Sequence, residues 1–192
     1  MFKVKMKIWT KIAGFSFIEL MVVIAIFTSL GTALTASYLQ SRHSTSLQIV
    51  TDSTQSALRQ MQNNTLAGEP YSLTTTARDY GIKISNLGVA YETFVEESGT
   101  VAYKALENFV FPTNVSFSNL QITSAGVTQS ATDVEIRFFP PFGDILVTAK
   151  SGGVILFSEQ KNVVVTFRVI FSGTTQYRRM TVDGISGRIS EL

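Results

Sequence analysis

The longest apolar stretch of the chain lies near its beginning. From Leu20 to Ser41 the sequence has no Asp, Glu, Lys, Arg or His. About 20 apolar residues in a helix span a hydrocarbon layer of about 30 Å. The pattern therefore predicts a helix with a transmembrane segment at about residues 20–39.

The pattern becomes amphipathic after Arg42. Polar residues alternate with apolar and small residues that recur at steps of three and four. These recurring residues are Leu47, Val50, Thr54, Ala57 or Leu58, and Met61. This spacing predicts a helix with one apolar stripe. Gly68 and Pro70 are stop signals, so we predict one continuous helix over residues 15–66.

The rest of the chain, residues 71–192, has the two-residue period of β-strands. In "TDVEIRFF", Val134, Ile136 and Phe138 alternate with charged residues, and "NVVVTFRVIF" alternates in the same way from Val163 to Phe171. "SGTTQ" then predicts a turn into "YRRMTVD". Further strands are predicted at 82–84, 89–95, 101–106, 115–122, 145–148 and 154–157. The predicted fold class is α+β, a long N-terminal helix packed on a C-terminal antiparallel β domain of one or two sheets.

The net charge of +2 hides an uneven distribution. Lys3, Lys5, Lys7 and Lys11 stand among the first 14 residues without an acid, and 12 basic and 14 acidic residues remain in the rest of the chain. The basic character therefore belongs largely to the first 14 residues and is weak support for nucleic-acid binding. It fits a segment held on the cytoplasmic side of a membrane.

Two general interpretations of residues 1–41 are a secretory signal peptide and a plain signal anchor. A signal peptide would use the small residues of "TALTAS" as a cleavage site, but the apolar stretch is long for one and Glu19 lies at its start. A signal anchor explains the lysines and the span but not Gly14 and Glu19. The chain has no cysteine, which excludes a disulfide framework and a thiol nucleophile.

A third interpretation comes from a family resemblance. "KIAGFSFIELMVVIAIF" closely resembles the leader and methylation motif of type IV prepilins and pseudopilins. The resemblance implies a leader at residues 1–14, cleavage by prepilin peptidase between Gly14 and Phe15, and N-methylation of Phe15. It also assigns Glu19 to methylation and assembly.

Glu19 is costly inside lipid unless it finds a partner or is neutral. The resemblance implies that this partner is the N-terminal amine of Phe15 in a neighbouring subunit. A glutamate near the interface that extends toward the lipid headgroups is the simpler alternative.

The β region, with "YGIKI", "VEIRFFPPFGDI" and a terminal "GRI", is similar in pattern to minor pseudopilins of the GspH/FimT group. The resemblance implies a minor pilin or pseudopilin of a type IV pilus or a type II secretion system. Its partners would be prepilin peptidase, other pilin subunits, the inner-membrane assembly platform and the lipid bilayer. The protein would first lie in the bacterial inner membrane, with its N-terminus inside and its β domain outside, and then in the filament. An anchored extracellular domain without a filament role is the alternative.

The sequence predicts neither an enzyme nor a cofactor or metal site. No serine stands in a G-x-S-x-G setting, and there is no phosphate-binding glycine loop. His43, the only histidine, is interpreted as a juxtamembrane surface residue, and Glu96–Glu97 as a solvated turn. Asp144 and Asp183 are isolated, whereas hard cations need several oxygen ligands.

DNA binding is the alternative function. FimT-like minor pilins are implicated in DNA binding through a basic C-terminal "GRxR" segment, and this chain has Gly187 and Arg188 but Ser190 in place of the second arginine. Candidate contacts are Arg178, Arg179 and Arg188. Because neighbouring strand residues face opposite ways, at most one of Arg178 and Arg179 joins a patch with Arg188.

Overall fold

The computed structural model describes residues 16–68, 77–97, 103–140, 143–160, 163–184 and 188–191. The chain divides into two compact units, Met1–Ser41 and Arg42–Leu192. The predicted leader, residues 1–14, and Phe15 lie outside the described residues.

One helix, α1, runs over Phe17–Ala67, close to the predicted residues 15–66. Its first part carries exposed apolar side chains, among them Phe17, Phe27 and Leu34. Among the described residues α1 is the helix long and apolar enough to cross a membrane, with a mean hydropathy of 2.1 over its most apolar window and none of that window buried. Length and composition thus fit a membrane anchor.

The later part of α1 buries the predicted stripe. Its buried residues are Leu47, Val50, Thr51, Thr54, Ala57, Leu58, Met61 and Thr65. The buried threonines do not leave their hydroxyl groups unpaired, because Thr51 and Thr54 donate hydrogen bonds to the carbonyl oxygens of Leu47 and Val50 at 2.8 and 2.7 Å. The helix can therefore place polar residues in the stripe without an unsatisfied donor.

Eleven strands follow in the described residues: β1 (Ala77–Ser85), β2 (Ala90–Glu97), β3 (Tyr103–Val110), β4 (Val115–Ser124), β5 (Val127–Ser130), β6 (Asp133–Phe139), β7 (Asp144–Ser151), β8 (Val154–Gln160), β9 (Val163–Phe171), β10 (Tyr177–Asp183) and β11 (Ile189–Glu191). They form a six-stranded sheet, called sheet A, in the order β3-β2-β1-β6-β7-β8. A five-stranded sheet, called sheet B, has the order β11-β10-β9-β4-β5. All the pairings are antiparallel. The predicted α+β class is confirmed, whereas strands β5 and β11 were not predicted from the sequence.

One hydrophobic core joins the stripe of α1 to both sheets. Sheet A contributes Val134, Ile136 and Phe138, the predicted inner face of β6, and all three side chains are fully buried. Sheet B contributes the alternating residues of β9, which are buried at every second position from Val163 to Val169. The two-residue period thus determines which face of each strand packs in the core.

Side chains also link the elements that surround the core. Thr65 of α1 reaches the Phe138 carbonyl oxygen at 3.3 Å, and the hydroxyl groups of Ser53 and Tyr91 are 2.7 Å apart. The loop after β1 joins sheet B, since the amide of Leu87 donates to the Phe117 carbonyl oxygen at 2.8 Å. These contacts fix α1 and both sheets within Arg42–Leu192.

Candidate functional site

The start of α1 is a capping box formed by Ser16 and Glu19. The backbone amide of Ser16 donates a hydrogen bond to Glu19 Oε2 at 2.8 Å, and the amide of Ile18 donates to Ser16 Oγ at 3.3 Å. Ser-x-x-Glu is the sequence pattern of this cap, in which two free backbone donors are satisfied by two side chains. Ser16 is therefore the N-cap and Glu19 is the third helical residue.

This geometry gives Glu19 a partner within its own chain, and its pairing with the amine of another subunit stays a prediction. The carboxylate already accepts a hydrogen bond from its own chain and also lies in the first turn, at the positive end of the helix dipole. Ser16 was missed as a functional residue, although its spacing from Glu19 was a visible signal. Gly14 and Phe15, the predicted cleavage and methylation residues, lie outside the described residues.

A buried cluster of charges lies on sheet A, on the face opposite the core. The guanidinium of Arg137 is 2.6 Å from Glu96, 3.2 Å from Glu135 and 3.5 Å from Asp79, and Lys150 is 2.9 Å from Glu135. Cross-strand pairing brings these side chains together, since Arg137 of β6 lies opposite Gly81 of β1 and Lys150 lies on the next strand, β7.

The three carboxylates of this cluster are almost inaccessible to solvent. Asp79 is 1% exposed, Glu96 7% and Glu135 6%. The interpretation of Glu96–Glu97 as a solvated turn is wrong, because both residues belong to β2 and Glu96 pairs with Arg137. A local sequence pattern cannot reveal this burial, since the partners are 41 residues apart in the chain.

The cluster shifts the pKa values of Glu135 and Arg137. Burial raises the pKa of Glu135, but hydrogen bonds from Lys150 and Arg137 more than offset this, so the pKa lies below its ordinary value. Burial lowers the pKa of Arg137, and the carboxylates around it raise that pKa above its ordinary value. The ionised states of Glu135 and Arg137 are thus favoured, which is the behaviour of a structural ion cluster.

Arg178 and Arg179 lie on β10, on opposite faces of sheet B, as predicted. Arg178 forms an ion pair with Glu191 of β11. Arg188 is exposed just before β11, and its carbonyl oxygen accepts the Asp183 amide at 2.9 Å. The structure therefore separates Arg178 from Arg179 and neutralises Arg178 within the chain.

Arg168 is a basic residue that the sequence analysis did not single out. It lies directly opposite Arg179 in the register of β9 and β10, and its guanidinium sits over the Tyr177 ring at 4.6 Å from the ring centroid. Only the strand register reveals this pair, since the alternation within each strand does not say which residues of β9 and β10 lie opposite each other.

His43 differs from its interpretation as a surface residue. It is half-buried, and its ring stacks on Phe171 with 4.0 Å between the ring centroids. Among the described residues no group of three or more His, Asp or Glu side chains could hold a metal ion.

Comparison with known proteins identifies the N-terminal segment. Residues 9–35 match the family described as the prokaryotic N-terminal methylation motif. No curated protein and no solved structure matches the chain. The matched segment contains Ser16, Glu19 and the first part of α1, and this motif with its long apolar helix fits a pilin anchored in the inner membrane. It indicates a structural subunit, processed by prepilin peptidase and assembled with other pilin subunits, and so supports placing the chain in the type IV prepilin and pseudopilin family.

Proposed function

We propose that prepilin peptidase cuts this protein between Gly14 and Phe15 and methylates the new amine of Phe15. The observation that carries the proposal is the match of residues 9–35 to the methylation motif, within which the helix α1 begins at Phe17. A cut at this position removes the lysine-rich leader and leaves the apolar helix attached to the β domain.

Glu19 then has two successive roles. In the described chain its carboxylate caps α1 through the Ser16 amide at 2.8 Å. Cleavage creates a positive amine at Phe15, and in the filament the Glu19 carboxylate pairs with this amine of a neighbouring subunit. A charge pair in an apolar helix bundle is stabilising only when both charges are present, so processing and assembly are coupled through Glu19.

The subunit is proposed to be a minor pilin or pseudopilin of the GspH/FimT group, in a type IV pilus or a type II secretion pseudopilus. The absence of cysteine, which excludes a disulfide-closed C-terminal loop, supports a minor subunit. Its proposed partners are prepilin peptidase, other pilin subunits and the inner-membrane assembly platform.

The proposed topology is a single pass through the inner membrane. Four lysines precede the apolar segment, and the positive-inside bias then puts the N-terminus in the cytoplasm and the β domain outside. After processing, the helix leaves the bilayer laterally and packs against the helices of other subunits.

DNA binding through Arg178, Arg179 and Arg188 remains a second hypothesis. The ion pair between Arg178 and Glu191 reduces its support, because that cation is already neutralised. A gel shift of duplex DNA that is lost when the three arginines are replaced by alanine would favour DNA binding. A shift that survives these replacements would exclude this site.

Intact-mass analysis tests the main proposal. The full chain is expressed in cells with and without active prepilin peptidase, and the expected product with the peptidase begins at Phe15 and carries one methyl group. A Gly14→Phe variant is the matched control and should keep its leader. A wild-type chain that keeps its leader beside active peptidase contradicts the proposal and favours a plain membrane anchor.

A further inference from the structure

The outer face of β9 and β10 places two positive charges side by side. Arg168 and Arg179 are direct cross-strand partners, so their Cβ atoms lie about 5 Å apart. Like charges in this position destabilise a sheet unless an anion lies between them or beside them. In the part of the chain that the structure describes, neither arginine forms an ion pair.

Arg168 is oriented for recognition rather than free in solvent. Its guanidinium lies over the Tyr177 ring at 4.6 Å, an arrangement that favours the cation and limits its rotamers. Its Nε atom is buried and has no hydrogen-bond acceptor among the described residues. The paired arginines can therefore offer several planar N–H donors to one carboxylate at little cost in side-chain entropy.

The two sheets of the protein have complementary charge. The strands of sheet A contain nine acidic and five basic residues, whereas the strands of sheet B contain two acidic and three basic residues. Three of the acids in sheet A are held by Arg137 and Lys150. Glu107 is different, because it is exposed on β3, one of the two edge strands of sheet A, and forms no ion pair among the described residues.

We propose that the Arg168–Arg179 pair of one subunit binds the Glu107 carboxylate of a second copy of this chain. The contact joins two different surfaces, so it is heterologous and can repeat from subunit to subunit without closing. Such a contact is what a filament of outward-facing β domains needs, and in this respect the inference rests on the proposed function.

A nucleic acid suits this face less well than a protein carboxylate does. Binding to the phosphate backbone is driven by neutralising many phosphates with Lys and Arg, whereas this face has one arginine pair, with Asp183 on the same strand. The acidic excess of sheet A also repels a polyanion. DNA is therefore not the expected partner of this face, and DNA binding is one of the results that the experiment can reveal.

Charge reversals in two differently tagged copies of the full chain test the contact. Because the chain has no cysteine, Thr181→Cys in one copy and Lys104→Cys in the other give the only disulfide pair that joins the two tags in this orientation. Lys104 is exposed and lies on the same face of β3 as Glu107, since their partners Val95 and Thr93 share a face of β2. Both copies are co-expressed with active prepilin peptidase, and the yield of the mixed disulfide is measured.

The contact predicts a specific pattern of yields. Arg179→Glu in the Thr181→Cys copy should lower the yield about tenfold because it places like charges together, and Glu107→Arg in the Lys104→Cys copy should do the same. The two reversals together should restore the yield. Arg59→Glu, on the exposed face of α1, makes the same change of net charge and should leave the yield unchanged.

Three results would overturn the contact: no mixed disulfide in the parent pair, single reversals without effect, or a combined variant that is not restored. A duplex-DNA gel shift abolished by Arg179→Glu, without charge-dependent cross-linking, would assign this face to nucleic acid instead. Thermal unfolding excludes a folding defect, since Arg179→Glu relieves a like-charge pair and should not lower Tm. Intact mass from the same samples reports N-terminal processing, so failure of this contact is distinguishable from failure of the proposed function.

Discussion

The Ser16 amide donates a hydrogen bond to the Glu19 carboxylate at 2.8 Å, so the acidic residue of the apolar helix is part of that helix's own cap. The same carboxylate is proposed to meet a processed N-terminus of another subunit. It can exchange one partner for the other because the Ser16 amide is exposed at the end of the helix.

Replacing Ser16 by alanine should loosen the first turn of α1. Ser16 Oγ accepts the Ile18 amide at 3.3 Å, and loss of an N-cap serine costs about 0.5–2 kcal/mol of helix stability. Hydrogen exchange of the full chain in detergent micelles should show faster exchange at Ile18. Ser16→Thr keeps the hydroxyl group and serves as the control; equal exchange in all three proteins would contradict the cap.

Glu19→Ala should separate processing from assembly. The scissile bond does not involve this side chain, so cleavage after Gly14 should be largely intact, whereas methylation or incorporation into filaments should fall. Intact mass measures the first two, and the amount of subunit in sheared filaments measures the third. Normal incorporation of the variant would show that the pairing proposed for the carboxylate is wrong.

Leu58→Ala should strongly destabilise the β domain. The Leu58 side chain is fully buried in the stripe of α1, and truncation of such a leucine costs about 2–5 kcal/mol through lost transfer energy and a residual cavity. Urea unfolding followed by circular dichroism measures the loss in the free energy of unfolding. Leu66→Ala, at an exposed position of the same helix, should change the free energy of unfolding by about 0.5 kcal/mol or less.

Arg137→Met should lower the free energy of unfolding by more than the partial burial of Arg137 suggests. It leaves Asp79, Glu96 and Glu135 without their shared cation, and removing one partner of a buried ion pair costs about 3–5 kcal/mol. Denaturant unfolding at neutral pH provides the measurement. The exposed Arg59→Met is the matched control, and a similar small change in both variants would show that the cluster contributes little.

The stability of the domain should fall in acid. The pKa of Glu135 is lowered in the folded protein, so its stabilising contribution is complete above the unfolded pKa of about 4.3 and is lost as the pH falls through the lower folded value. Thermal unfolding between neutral pH and pH values below about 4 should show this decline. Glu135→Gln should flatten it, while Glu107→Gln should not; an unchanged profile in Glu135→Gln would rule out this carboxylate as a source.

The sequence alone predicted the helix, most of the strands and the buried stripe because these depend on local periodicity. Val50 and Leu58 repeat with the helical period and Val134 to Phe138 alternate with the strand period, and each pattern has one face that can be buried. The short strands β5 and β11, of 4 and 3 residues, carry too little alternation to be detected. The spacing of Ser16 and Glu19 also contained the cap, although it was not identified.

Only the tertiary structure decided which distant charges meet. The pairing of β1, β2, β6 and β7 brings Arg137 and Lys150 to three acids and turns Glu96 from a surface residue into a buried one. The register of β9 and β10 places Arg168 directly opposite Arg179. Side-chain periodicity is a property of a single strand, whereas register is set by packing two strands and their core together. The sequence therefore determined the motif, the anchor helix and the core-facing residues, and the folded sheets determined the ion cluster and the arginine pair.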